Sequence, residues 1–526
     1  MYVEMRRISK RFGTVLANDD AALSVDRGEV LALLGENGSG KSTLVNMLAG
    51  IYVPDSGSIH IDGKRRNLRS PQEAIEAGIG MVHQHFKLIP VMNAWENISL
   101  GAKPEEGRGG LLRRPCLSRL NPFIEKQRIN KKIAALEERF GLTAPHDKKI
   151  YNMSVSEKQT VEILKMLYRG AVTLILDEPT AVLAPQEIKR LFSMLRNMKQ
   201  EGCAVVIITH KLNEVMDISD RVTVMRKGRA VGTVKTADTN PGELTKMMVG
   251  ASVSLEIKRD KPEPTEKPCM EIRGIGCLGA QGESALDGVD FSLYGGEILG
   301  VAGIAGSGQK ELCEIIAGLC KPDSGDILFQ GENISGLSPR QIRDRGVSMS
   351  FVPEDRLGMG LAGGMSVSAN VLLRSYEKNP GIFVDYAAGD LLAGQIVRDY
   401  DVSTPSIRQI IRKLSGGNIQ KVMLGREINL SPKVLITAYP VRGLDVSASY
   451  FIYTLLNEQK KKGIAVLYIG EDLDVLMELC DRLMVLHHGK VMGIVDPQNT
   501  SKELIGLMML GEKSARAASA ASEAAE

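Results

Sequence analysis

Excess charge of one sign is missing from this 526-residue sequence: 66 Lys and Arg stand against 63 Asp and Glu, a formal net charge of +3. A nucleic-acid binder usually carries a strong basic excess on one face, so the balance gives that class no support. Paired cysteines are missing too. The seven (Cys116, Cys203, Cys269, Cys277, Cys313, Cys320 and Cys480) are odd in number and form no CxxC pair. They read as reduced, buried and cytosolic, with Cys313 and Cys320 as two core positions of one helix. No uncharged apolar run reaches the roughly 18–20 residues that a membrane helix needs. The nearest, Ile298 to Gly308, is short and broken by glycines. Arg6, Arg7, Lys10 and Arg11 are followed by no continuous apolar segment, so no signal peptide is expected. If the protein serves a membrane process, other chains must supply the spans.

One unit occurs twice. AVVIITHKLNEVMDISDRVTVMRKGR, around Thr209, matches AVLYIGEDLDVLMELCDRLMVLHHGK near Gly470. Asp220 and Arg221 recur 261 positions later as Asp481 and Arg482, and Ser154 recurs at the same offset as Ser415. Gly35 pairs with Gly303, 268 positions on, and PDSG appears at Pro54 and again at Pro322. A near-constant offset means two copies of one domain, because solenoid repeats have periods of roughly 20–50 residues. At roughly 100–200 residues per domain, the length also predicts at least two. The expected division is a first domain over 1–250, a linker over 251–268 and a second domain over 269–511. Pro262, Pro264 and Pro268 among alternating charges mark the linker. The alanine-rich tail, 512–526, reads as disordered. Within each copy, short apolar runs such as Glu29–Leu34, Leu174–Leu176 and Ala204–Ile208 alternate with amphipathic stretches, which predicts an α/β domain with a largely parallel sheet. Between Phe86 and Met153 the pattern turns helical and suggests a separate helical subdomain.

Gly35-Glu36-Asn37-Gly38-Ser39-Gly40-Lys41-Ser42 fits GxxxxGK[ST] and sits between the strand EVLALL and the helix KSTLVNMLAG. Glycines let backbone N–H groups turn inward around phosphates, and the helix N-terminus adds a favourable dipole. Lys41 would neutralise β/γ-phosphate charge and Ser42 would ligate Mg²⁺. In LILDEPT, Leu174–Thr180, a buried strand delivers Asp177 to the metal's coordination sphere, and Glu178 can polarise the attacking water. His210 ends the strand AVVIITH, where a γ-phosphate contact is expected. Gln84, in MVHQHFKL, could sense both Mg²⁺ and a partner. Its neighbours His83 and His85 invite a metal reading, but the sequence offers them no matching ligand cluster. Phe12 is a candidate ring for stacking adenine.

These blocks, together with LSGGN at Leu414–Asn418, resemble the ATP-binding-cassette family, and the resemblance covers nearly the whole chain twice. It implies two tandem α/β domains, each a P-loop nucleotidase core with a helical subdomain and an antiparallel β subdomain. Two such cassettes pack head to tail in that family, with ATP between one phosphate loop and the other's signature. Carried onto this chain, the resemblance assigns ATP contacts to Phe12, Gly35–Thr43, Ser415, Gly416, Gly417, Asn418 and Asp445. It places Mg²⁺ on Ser42, Gln84 and Asp177, and catalysis on Glu178, His210, Lys41 and Gln84.

The second copy departs from the pattern at each catalytic position. Lys41 and Ser42 become Gln309 and Lys310, Asp177 becomes Ala438, Glu178 becomes Tyr439 and His210 becomes Glu471. The glutamine position becomes Glu354, and Phe12 falls near Ala280. Conversely, the first signature reads Met153-Ser154-Val155-Ser156-Glu157, without the two glycines, and Ala184 stands where the second copy has Asp445. Head-to-tail pairing gathers every intact element into one composite site and every damaged one into the other. One site is therefore expected to hydrolyse ATP.

A fused pair without membrane spans looks like the ATPase subunit of bacterial importers for ribose, galactose and related sugars. The stretches GIGMVHQHFKLIPVMNAWENISLG and LYRGA look closer to the nucleoside-importing branch. That resemblance implies two integral membrane permease subunits, an extracytoplasmic solute-binding lipoprotein, and a peripheral place at the cytoplasmic face of the cell membrane. Gln84, Glu354, the helical subdomains and the arginines of Arg108–Arg119 are the candidate contacts with those subunits. The rival class is a soluble tandem-cassette factor acting on ribosomes, which usually keeps two working sites.

Overall fold

The computed structural model describes residues 1–13, 15–83, 86–100, 122–181, 183–250, 257, 259, 264–279, 282–304, 306–345, 349–376 and 384–512. Gln84, His85, Cys116, Ala280, the Arg108–Arg119 segment, most of 251–263 and all but the first residue of the tail lie outside the described residues. The chain divides into two compact units, Met1–Leu183 with Glu187–Ser254, and Ala184–Gln186 with Leu255–Glu526.

The first unit is built on a six-stranded sheet ordered Arg229–Lys235, Arg221–Arg226, Val30–Gly35, Ala204–Thr209, Thr173–Asp177 and Ile79–Val82. All neighbours are parallel except the Arg229–Lys235 edge. Parallel strands covered on both faces read as unbroken apolar runs, which is why VLALLG and AVVIIT show no alternation. Their side chains still alternate between two cores. Val30, Leu174, Leu176, Val205 and Ile207 join the core of the helices Ala94–Ser99, Pro122–Phe140 and Val155–Tyr168. Leu31, Leu33, Ile175, Val206 and Ile208 join the core under a four-stranded antiparallel sheet of Val15–Val25, Val3–Phe12, Ser56–Ile61 and Lys64–Arg66. Because the sheet side-chain period is two, a one-residue slip would exchange these faces, so the double core fixes the register.

The second unit repeats this plan. Its six-stranded sheet runs Met349–Val352, Val434–Ala438, Ala465–Ile469, Ile298–Ala302, Arg482–His487 and Lys490–Val495, and a second antiparallel sheet begins with Pro268–Leu278. This unit reaches back into the expected linker: Arg259 lies 3.5 Å from Asp481 and donates to the Cys480 carbonyl, and Thr265 N–H bonds to Gly295 O. Two cysteine expectations need correcting. Cys320 is exposed and Cys269 half-buried, because the helix Gln309–Ile316 ends before Cys320 can turn inward beside the buried Cys313. The six described cysteines are all free thiols. Among the described residues, no helix is long and apolar enough to cross a membrane.

Candidate functional site

In the first unit, the carboxyl ends of three neighbouring strands, Val30–Gly35, Ala204–Thr209 and Thr173–Asp177, each deliver part of a site. Ligands gather at this edge of open α/β sheets because the loops diverge there and helix N-termini point inward. After the first strand the chain turns through Gly38 and Gly40, at φ 79° and 96°, into the helix Lys41–Leu48. A Cβ on Gly40 would sit 2.4 Å from the Ala17 carbonyl oxygen, so no side chain fits at that turn. Lys41 is folded back into the loop, where Nζ donates to Gly35 O at 2.7 Å and Glu36 O at 2.9 Å. Burial lowers its pKa, against the pull of the Glu178, Asp177 and Glu36 carboxylates. Ser39 Oγ is buried in the loop without a hydrogen-bond partner, while Ser42 is exposed.

Asp177 and Glu178 stand beside this loop. Burial, and then the charge of Glu178, pushes the Asp177 carboxyl up to about 6, with Lys41 opposing. Glu178 is held below the ordinary range chiefly by His210, whose Nδ1 lies 3.1 Å from Oε1. Asp177 is thus a partly buried carboxyl with a second carboxylate, Glu178, beside it. Together with the oxygen donors Asp177 and Ser42, that suits a hard divalent cation such as Mg²⁺. Phe12, at the end of its strand, is 42% exposed, and Tyr52 meets it edge-on at 5.1 Å between ring centroids. Sequence reading missed Tyr52, since an aromatic in a connecting segment carries no periodic signal.

The corresponding loops of the second unit keep the backbone and lose the chemistry. Gly306 and Gly308 repeat the turn at φ 85° and 97°, but Gln309 takes the buried lysine position and bonds to Ile304 O at 3.3 Å. Ala438 offers no ligand. Tyr439 is a half-buried phenol whose pKa is raised by burial and by Glu471 and Glu354. Arg442 bridges those two carboxylates, bonding Glu354 and lying 3.3 Å from Glu471.

The two signature segments also differ in charge. Ser415 caps the helix Gly416–Ile428, its oxygen accepting from Asn418 N–H at 3.4 Å and Asn418 Nδ2 at 2.8 Å. Gly417 leaves a Cβ only 3.2 Å from Ala448 Cβ, and Asp445 caps the next helix by accepting from Ala448 N–H. In the first unit Ser154 and Glu157 form a capping box, and Lys148 pairs with Glu157 at 2.7 Å. A carboxylate therefore occupies this helix N-terminus, whose unpaired N–H groups would otherwise favour an external anion. The S-x-x-E pattern was visible in the sequence and carried this meaning beyond the missing glycines.

A phosphate loop opening a helix beside an acidic turn, carried by two parallel strands with a third between them, defines a nucleoside-triphosphatase domain; this chain has the fold twice and those loop and turn residues once. The model of the ABC transporter family matches residues 18–181 and 286–440. The chain belongs to the ABC transporter family, and is an ATP-binding ATPase of the two-cassette kind. It is 41% identical over 512 residues to the nucleoside import ATP-binding protein NupA of Lactococcus lactis, covering 97% of this chain and 98% of that one. It is 41% identical to the guanosine import ATP-binding protein NupO of Bacillus subtilis, covering 97% of each, and 39% identical to the ribose import ATP-binding protein RbsA 1 of Rubrobacter xylanophilus, covering 98% and 99%. Among solved structures, the RNase-L inhibitor aligns with a TM-score of 0.57 over 91% of this chain and 87% of its own. At 18% identity that likeness speaks for the tandem fold alone.

Proposed function

We propose that this chain is the energy-coupling ATPase of a bacterial importer for nucleosides or related simple sugars. The near full-length likeness to chains named as import ATP-binding proteins, two of them for nucleosides, carries this reading. In it, the cassettes over 1–250 and 269–511, joined through 251–268 and followed by the tail 512–526, sit peripherally at the cytoplasmic face of the cell membrane. They engage two integral permease subunits, which receive solute from an extracytoplasmic binding lipoprotein. Nucleic acid has no part in it.

Hydrolysis runs at one site. The phosphates of ATP lie along Gly35–Thr43, with Lys41 neutralising the β/γ oxygens and Phe12 stacking on adenine. Ser42, Asp177 and Gln84 would hold Mg²⁺, which would supply further charge neutralisation for the phosphates. Glu178, kept ionised by His210, accepts the proton of the attacking water, and His210 contacts the γ-phosphate. Ser415–Asn418 and Asp445 are proposed as further ATP contacts. Support for that assignment comes from the sorting of losses: a neutral helix N-terminus survives only in the unit that lost the carboxylates, and a carboxylate caps the other.

The test is ATP turnover of the full chain purified with its membrane partners. Lys41→Ala and Glu178→Gln abolish turnover, whereas Gln309→Ala leaves it within about twofold. Equal losses in all three refute the single site. Co-sedimentation with ribosomes, in place of co-purification with integral membrane proteins, refutes the importer.

A further inference from the structure

The turn that carries Asp177 and Glu178 is held from both sides by hydrogen bonds, one buried and the others part-buried. On one side Gln159 Nε2 donates to the Pro179 carbonyl at 2.9 Å. On the other, the Glu214 carboxylate accepts from Thr180 Oγ1 at 2.6 Å and from Thr209 Oγ1 at 3.4 Å. Lys211 Nζ lies 3.2 Å from the second oxygen of Glu214 and reaches the Thr180 carbonyl at 3.5 Å. Thr180 and Thr209 are each only 2% exposed, and the Glu214 side chain 11%. Thr180 lies two residues after Glu178, and Thr209 immediately precedes His210. One carboxylate therefore ties the strand end bearing the glutamate to the strand end bearing the histidine.

The second unit supplies a natural comparison, because the same fold surrounds a turn without catalytic residues. At the 261 offset Thr180 becomes Val441, Thr209 becomes Gly470, Lys211 becomes Asp472 and Glu214 becomes Val475. None of these four can rebuild the bonds. Gln159 is conserved in kind as Gln420, yet both of its amide atoms are buried without a hydrogen-bond partner. The network is thus present where Glu178 and His210 are present and dismantled where they are gone. A purely structural tie would be wanted equally in both units.

We propose that Glu214, acting through Thr180 and Thr209, is a positioning residue for hydrolysis that sets Glu178 and His210 against the γ-phosphate. This rests on the reading of Glu178 as general base. A part-buried pair of hydrogen bonds to a carboxylate is suited to the task, since displacing a reacting group by about 1 Å can cost about 100-fold in rate.

The experiment measures steady-state ATP turnover of the full chain with its membrane partners, alongside equilibrium binding of a fluorescent ATP analogue. Thr180→Val removes only the hydroxyl and copies a residue the second unit accommodates at this place. It should lower kcat about 10–100-fold while KM and analogue affinity stay within about twofold. Thr180→Ser, which restores the hydroxyl, should return most of the rate. Thr180→Val combined with Glu214→Val, the pair the second unit carries, should be no slower than the slower single variant, as members of one unit are not additive. Should Thr180→Val fail to fold, that double variant and Glu214→Gln carry the same comparison. A kcat within twofold of wild type, a loss confined to KM, or no rescue by serine overturns the proposal. Glu178→Gln is the control: if it turns over normally, the general-base reading itself fails; if it is inactive while Thr180→Val is not, only the role of Glu214 fails.

Discussion

Asp177→Asn should stabilise the protein without nucleotide and destabilise it with nucleotide. The carboxyl of Asp177 is raised from its ordinary 3.8 to about 6, mainly by burial and next by Glu178. A carboxyl whose folded pKa exceeds its unfolded value binds more protons when folded, so the ionised form weakens the fold. The penalty is absent below about 3.8, grows as pH rises between the two values, and is complete above about 6. Taken in full the shift corresponds to about 3 kcal/mol. Since Asp177 is only partly buried, solvent screening reduces this to about 1–2 kcal/mol. For a domain of this size that is a rise of roughly 2–8 °C in melting temperature at pH 7.5. Half of the gain should be gone at pH 5, where wild-type Asp177 is largely protonated in the fold. With Mg²⁺ and ATP the order should reverse. Wild type gains about 2.7 kcal/mol at a hundredfold excess over Kd, and the variant would lack the carboxylate proposed to hold Mg²⁺. Differential scanning calorimetry of the full chain, with the transitions assigned unit by unit, gives both numbers. A lower melting temperature for nucleotide-free Asp177→Asn at pH 7.5, or an undiminished gain at pH 5, would refute the electrostatic account.

Asn418→Glu places in the second signature the carboxylate that the first carries at Glu157, and should complete a capping box with Ser415. Thermal stability should hold or rise by about 1 kcal/mol while ATP turnover falls at least about tenfold, read by calorimetry and phosphate release. Glu157→Ala should lose the capping box and the Lys148 pair, lowering stability by about 1 kcal/mol with turnover unchanged. Phe12→Ala should raise KM for ATP about tenfold with kcat nearly constant, because stacking on a base contributes about 1–3 kcal/mol to binding.

Much of the fold was legible because its determinants are local. Unbroken apolar runs gave the buried parallel strands, and the glycines of the phosphate loop marked a turn that only they can make at φ 79° and 96°. The duplication was legible as an offset. What escaped was non-local. Tyr52 reaches Phe12 only because Lys10 and the Arg11 amide bond Asp55 and draw that segment against the first strand. Arg442 lies within an ordinary PVRGLD turn, and its pairing with Glu354 and Glu471 depends on three strand ends converging. Cys320 was misjudged from helical spacing because the helix stops at Ile316.

The turn that carries Asp177 and Glu178 shows how far backbone and chemistry separate in this fold. Glu178 sits at φ 47°, a left-handed conformation that a side-chain-bearing residue adopts at a cost of about 1–3 kcal/mol. Strain at an acidic residue invites the idea that catalysis maintains it. Tyr439, its counterpart, has no such chemistry and sits at φ 49°. In both units the amide of this residue donates to the end of the adjoining parallel strand, Glu178 to Ile208 O and Tyr439 to Ile469 O, each at 2.9 Å. The sheet therefore imposes the turn, and the glutamate is aimed by a conformation the fold holds whether or not it is used. Side-chain bonds beyond the turn are what distinguish the working unit from the other, so activity should be far more sensitive to Thr180 and Glu214 than to changes in the strand that precedes them.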